Sequence, residues 1–286
     1  MNKIFNTKFM FLLPIMTGVS VFFLVPFVII IILSFSRGIG RLNFVGIENY
    51  VNVINSPSFQ LALANTLKFL IIGIPLIMIV SFIIALSINV KLPGFKYIKS
   101  TMLMPYVLPI SSLAIIIQIF ITEHGIFNGA LNYFGVDTVN LLQSDKAFVI
   151  VIVMYVWKNF GYNVILILVS LNAIPPQLYE AASIDGASSL QKVFSITIPM
   201  IIPNLIFVSI ISVINSFKSY REIFLLGGEH PHESIYMIQH YINNNFENLN
   251  YPKLAVSSIL LFTVIILFVL LMFCLQIKWR EKNDNK

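Results

Sequence analysis

Long apolar runs alternate with shorter polar connections along this chain, and the run lengths set the first structural expectation. Apolar residues dominate roughly 9–33, 66–90, 101–122, 146–173, 200–226 and 254–277. A helix rises about 1.5 Å per residue, so about 20 apolar residues cross a bilayer core about 30 Å thick. The pattern predicts an all-α polytopic membrane protein, with six spans in a single domain over residues 1–286. The first run is too long for an ordinary signal-peptide core and no small-residue cleavage site follows it, so it reads as an uncleaved helix. Pro14 and Pro26 are its expected kink positions, and Pro105 and Pro109 fall in the first half of the third run.

The polar connections carry the topology. Six spans put both termini on one side. That side, with the Lys91–Ser100 turn and the insert after the fourth run, holds ten basic residues: Lys3, Lys8, Lys91, Lys96, Lys99, Lys192, Lys278, Arg280, Lys282 and Lys286. The opposite loops hold Arg37 and Arg41, plus a few at span edges. The positive-inside rule places the insert and both termini in the cytoplasm.

Composition agrees. Hydrophobic residues make up 58% and charged residues 10%, with a mean hydropathy of +0.89, where a soluble domain carries about 25% charged residues. The net charge of +6 sits mostly at the ends of apolar runs, so it marks topology and not nucleic-acid binding. Cys274 lies in an apolar run, can form no internal disulfide, and reads as a small core residue.

The insert, Glu180 to Pro203, has its own grammar. Pro175 and Pro176 end the preceding run, and a short helix starts near Gln177 with Glu180 in its first turns. Asp185-Gly186 reads as a turn, and Ser188 with Gln191 fits a capping box opening a second short helix to about Ile198. Pro199 and Pro203 stand at the head of the next apolar run, so proline brackets the insert. On chemistry alone an ordinary amphipathic loop accounts for it equally well.

The residues Glu180-Ala181-Ala182, then Gly186, then Ile196 and Ile198-Pro199 resemble the EAA loop of ABC importer permeases, with Ile198 where that family has leucine. The longer run IPPQLYEAASIDGAS is similar to carbohydrate-type permeases of the maltose and glycerol-phosphate kind. Phe44 to Tyr50 (FVGIENY), with Phe59 and Ala62 to Phe69, resembles the F-x-G-L-x-N-Y … N-T pattern of the same group. The resemblance implies an inner-membrane component of a binding-protein-dependent transport system in a bacterial-type cell membrane, with a cytoplasmic coupling helix between the fourth and fifth spans. It implies as partners a second permease, two ABC ATPase subunits and an extracellular or periplasmic sugar-binding protein. No cofactor is expected on this chain, ATP and magnesium being used by the ATPases. Coupling to them would fall to Glu180, Ala181, Ala182, Asp185, Gly186, Ile196 and Pro199. A sugar or oligosaccharide would cross by alternating access. After the fifth span the family often has Gly-Gly-Pro followed by Thr, whereas Gly227 to Ser234 here read GGEHPHES.

Candidate chemistry narrows the function further. No Gly-Lys dipeptide occurs, so this chain builds no P-loop and is not itself the ATPase. His230 and His232 suit a solvated loop better than a metal site, and no Ser/His/Asp arrangement supports an intramembrane enzyme. Polar residues inside the fourth and fifth runs are more informative, because an ionisable or amide group in hydrocarbon needs a polar cavity or a partner. By the same resemblance, Asn159, Gly161, Tyr162, Asn215 and Ser219 are the expected substrate-pathway residues. Lys218, Arg221 and Glu222 fit either the pathway or the outer interface, where long side chains snorkel to water. An ion-gradient-driven secondary transporter is the alternative; it needs midplane carboxylates, which the runs nearly lack.

Overall fold

The computed structural model describes residues 2–38, 43–89, 101–122, 125–135, 137–138 and 140–284. The expected Lys91–Ser100 turn, together with Arg41, His124 and Lys286, lies outside the described residues. The described chain is helical with no strand, and six helical stretches are long and apolar enough to cross a membrane: Phe11–Ser34, Pro57–Asn89, the stretch 110–133 made of the helices Ile110–Ile121 and Ile126–Tyr133, Ala147–Asn172, Ser189–Gly227 and Tyr251–Trp279. In lipid every backbone N–H must find its acceptor within the segment, which is why these runs are helices.

Two compact units result. One joins residues 1–63 with 238–264, the other 64–237 with 265–286. In the first unit, the end of the first span is tied down by the FVGIENY run. Asn49 donates from Nδ2 to the carbonyls of Ser34 and Ser36 at 2.9 Å each, and the Ser34 hydroxyl lies 2.9 Å from the Tyr50 hydroxyl. Gly46 allows the turn between them because its φ is +59°, a conformation costly for other residues. Phe59 meets Tyr241 edge-on at 5.5 Å.

The second unit is built on the fourth span, Ala147–Asn172. One apolar cluster packs Val151, Ile152 and Tyr155 against Phe69, Ile77, Leu113 and Val213; a second packs Val164, Ile167 and Leu171 against Ala85, Ile201 and Val208. Between them runs a polar seam to the fifth span. Tyr155 donates its hydroxyl to the Ser212 carbonyl at 2.7 Å, Asn163 donates to the Ser212 hydroxyl at 2.8 Å, and Asn204 donates to the Leu166 carbonyl at 3.2 Å. Each such bond between membrane helices contributes on average about 0.6 kcal/mol, and up to about 1.7.

Prolines act differently from expectation at one end of the insert. The expected stop at Pro199 is absent: Ser189–Gly227 is one helical run of 39 residues through Pro199 and Pro203. Just ahead of Pro199, Val193–Thr197 form a π-turn in which the Ile198 N–H reaches back to the Val193 carbonyl. Proline lacks an N–H and its ring crowds the carbonyl four residues back, and the wider turn relieves that crowding without ending the helix. Ser20–Leu24 forms the same turn ahead of Pro26, so Pro26 too lies within a helical run. The second span also starts earlier than its hydropathy suggests, at Pro57, because polar residues can occupy a helix end outside the apolar stretch.

The third run is where proline does interrupt. A short helix, Met104–Val107, ends at Leu108, which adopts ψ 135° ahead of Pro109, and a new helix covers Ile110–Ile121. The residue before proline is pushed out of the α region by the proline ring, so Leu108-Pro109 is extended.

Gly161 on the fourth span is a packing glycine: a Cβ there would overlap the Met102 carbonyl oxygen. Gly129 is helical with nothing within 4 Å of its Cβ direction. Gly161→Ala should therefore cost about 1–3 kcal/mol by overpacking, while Gly129→Ala should be neutral or stabilising by up to about 1 kcal/mol. Thermal unfolding of the purified protein compares them, and equal losses would remove the close-approach explanation.

Candidate functional site

The broken third run, the fourth span and the fifth span enclose a cavity of about 750 Å3. The interruption supplies Tyr106, Leu108 and Pro109, the fourth span supplies Lys158 and Asn159, and the fifth supplies Asn215 and the stretch from Phe217 to Glu222. Non-helical backbone at membrane depth persists where it lines a cavity, and the Leu108-Pro109 break fits that rule.

Three of the five residues expected in the pathway line this cavity: Asn159, Asn215 and Ser219, each only 4–6% exposed. Asn159 donates to the Tyr155 carbonyl at 2.9 Å, and Ser219 donates to the Asn215 carbonyl at 3.4 Å. The structure does not bring the other two to the wall. Gly161 is buried against Met102, and Tyr162 lies behind Tyr106, ring on ring at 5.0 Å and 13°. Tyr162 thereby sets the orientation of an aromatic face that does line the cavity.

Glu222 corrects the interface alternative. It is 1% exposed, and its Oε1 accepts from the Lys158 ammonium, joining the segment after the fifth span to the fourth. Its Oε2 is buried with no partner among the described residues. A buried pair needs both members, since removing one strands the other charge away from water. Lys218 and Arg221 are exposed, but both stand on the cavity wall. The sequence held a signal for the ion pair: Lys158 inside the fourth run and one anion closing the fifth. Tyr106 carried no signal of its own, because only the Leu108-Pro109 break turns it toward the cavity.

The insert forms a second candidate surface. Its first helix is Pro176–Ile184, with proline in the opening turn. It ends in a Schellman motif: the Ala187 N–H bonds the Ala182 carbonyl at 2.9 Å and the Gly186 N–H bonds the Ser183 carbonyl at 3.1 Å. Gly186 has φ +75° and open space where a side chain would sit, so backbone conformation and not crowding requires glycine. The Ser188–Gln191 capping box is present and starts the next helix. Lys192 donates to the Ser183 hydroxyl at 2.6 Å, bracing the two helices. Glu180, Ala181, Asp185 and Gly186 are exposed, Ala182 is half-buried, and Ile184, Leu190 and Phe194 present bare apolar side chains at 88%, 71% and 67% exposure. Ile196 turns the other way, onto the core cluster around Ile201, and Pro199 sits within the helix.

Residues 73–277 match the model of the binding-protein-dependent transport system inner membrane component family. This chain belongs to that family. It is a multi-pass membrane permease, a class of subunit with no enzymatic role of its own. The permease is 32% identical to the trehalose/maltose transport system permease protein of Thermococcus litoralis, over 78% of this chain and 77% of that one. It is 31% identical to the lactose transport system permease protein of Rhizobium radiobacter, over 82% and 81%. Its fold matches a chain of a bacterial alginate ABC transporter, solved with a periplasmic protein carrying an alginate pentasaccharide. There the TM-score is 0.81 with 25% identity, covering 94% of this chain and 93% of that chain.

Removing half of the buried pair tests its structural weight. Glu222→Gln should destabilise the permease by about 3–5 kcal/mol, while Lys158→Met with Glu222→Leu should recover most of that loss. Melting temperatures of the purified variants measure both, and a double variant no more stable than the single would contradict the pairing.

Proposed function

We propose that this permease is one transmembrane subunit of an ATP-driven importer for a sugar or oligosaccharide. The observation that carries the reading is a polar, aromatic-edged cavity between the fourth and fifth spans, joined by continuous helix to an exposed insert. Tyr106 offers a flat face to a sugar ring, and Asn159, Asn215 and Ser219 offer groups that pair with hydroxyls. Sugar-transport relatives at about 30% identity support the same substrate class. An ion-gradient mechanism is disfavoured because the buried carboxylate of this site, Glu222, is committed to Lys158.

In this reading the insert lies in the cytoplasm, as do both termini, and the region 1–286 acts as a single permease domain. The insert docks on a separate ATPase that uses ATP and magnesium. Glu180 and Asp185 meet the partner's basic groups, the small Ala181 and Ala182 permit close approach, and Gly186 holds the turn. Ile196 and Pro199 transmit motion inside the helix without touching the partner. A second permease completes the pathway, and an extracellular binding protein delivers the substrate.

Three experiments test this. In a Cys274→Ser background, a cysteine replacing Ala130 should react with an impermeant reagent added outside intact cells, and one replacing Lys192 should not. Reaction at 192 would reverse the topology. Gly186→Val should leave the permease in the membrane yet reduce ATP-dependent uptake at least about tenfold, because a β-branched residue resists positive φ. Glu180→Lys should weaken co-purification of the ATPase. Normal uptake from well-expressed Gly186→Val would refute the coupling role.

A further inference from the structure

The cavity is unevenly charged. Lys158, Lys218, Arg221 and Glu222 line it, so three cations face one anion and the wall carries a surplus of two positive charges. The anion is already committed, since Glu222 holds Lys158. Lys218 and Arg221 therefore remain, and neither meets a carboxylate among the described residues. They lie three positions apart across the Ser219 turn, and both stand on the same cavity wall.

Like charges on one wall repel, and ionisable groups among membrane spans are costly unless they serve a polar pathway. Arginine adds a geometric preference. Its planar fork gives two parallel hydrogen bonds to a carboxylate or phosphate, which a neutral hydroxyl cannot match, while lysine adds a point charge. The same wall holds a second, independent feature: the buried Oε2 of Glu222, a hydrogen-bond acceptor, has no partner among the described residues. A bare inorganic anion would be repelled by that oxygen. A molecule carrying both an anionic group and hydroxyl donors satisfies all three side chains at once.

We propose that the saccharide carried by this permease bears an anionic group, a carboxylate or a phosphate, which Arg221 and Lys218 recognise while its hydroxyls meet Glu222 and Asn215. This rests on the sugar-importer reading and adds the charge class of the cargo.

The test uses the assembled importer in lipid nanodiscs, titrated with glucuronate, glucose 6-phosphate, glucose and inorganic phosphate, with binding read from thermal stabilisation. At least one of the acidic sugars should bind about tenfold more tightly than glucose, a difference of about 1.4 kcal/mol. Arg221→Gln with Lys218→Gln should abolish that preference. Arg221→Lys should keep part of it, and added KCl should weaken it by screening. Glucose binding as tightly as both acidic sugars, or no stabilisation by either acidic sugar, would overturn the proposal. Inorganic phosphate binding as tightly as glucose 6-phosphate would also overturn it, by showing a bare anion site. Failure of the importer reading has a separate signature, ATP-independent uptake unaffected by Gly186→Val.

Discussion

The hydrogen bonds gathered on Ser212 are the interaction on which the site depends. Tyr155 takes its carbonyl and Asn163 its hydroxyl, and both donors come from the span most deeply buried in its unit. Apolar packing discriminates weakly between registers in a membrane, because lipid chains are as apolar as leucine side chains. Buried polar bonds do discriminate: a shift of one residue would leave Tyr155 and Asn163 unpaired, each at a cost of about 1–3 kcal/mol. The register they fix places Lys158, which lies between Tyr155 and Asn163 in the chain, against Glu222, and brings Asn159 and Asn215 to the wall of one cavity.

Proline has opposite consequences at different places in this chain, and the difference separates rods from openings. Before Pro26 and Pro199 a π-turn absorbs the missing N–H and the helix continues. At Leu108-Pro109 the backbone extends and the helix breaks. The rods carry force over distance. At about 1.5 Å per residue, the helix from Leu190 to Asn215 sets the exposed apolar tip of the insert about 38 Å from the cavity wall. The break instead provides shape, turning Tyr106 into the cavity with Tyr162 stacked behind it.

This arrangement gives alternating access a physical route. A push on Leu190 or Phe194 acts on the same helical run that bears Asn215 and, beyond the Ser219 turn, Glu222. Glu222 in turn grips Lys158 on the fourth span, so movement of the fifth span is felt on both walls of the cavity. The first helix of the insert hangs from the fourth span, and Lys192 braces it against the second through Ser183. The two spans flanking the insert are therefore linked at the cavity and again at the insert.

Sequence alone determined the number of spans, because hydropathy over about 20 residues is a local property set by bilayer thickness. It also determined the local grammar of the insert: the proline start, the Gly186 turn and the Ser188–Gln191 capping box are each complete within a few residues. Amides and hydroxyls are conspicuous in apolar runs, and with the family resemblance they singled out Asn159, Asn215 and Ser219, which line the cavity. Tertiary structure decided the rest. Whether Pro199 stops a helix depends on the turn before it, and whether Gly161 serves packing or substrate depends on the Met102 backbone approaching it. Glu222 could have faced water at the membrane surface; it is a buried partner because Lys158, 64 positions earlier, is brought against it by the register of two helices. Contacts between residues so far apart are set by packing, and no local pattern in the chain encodes them.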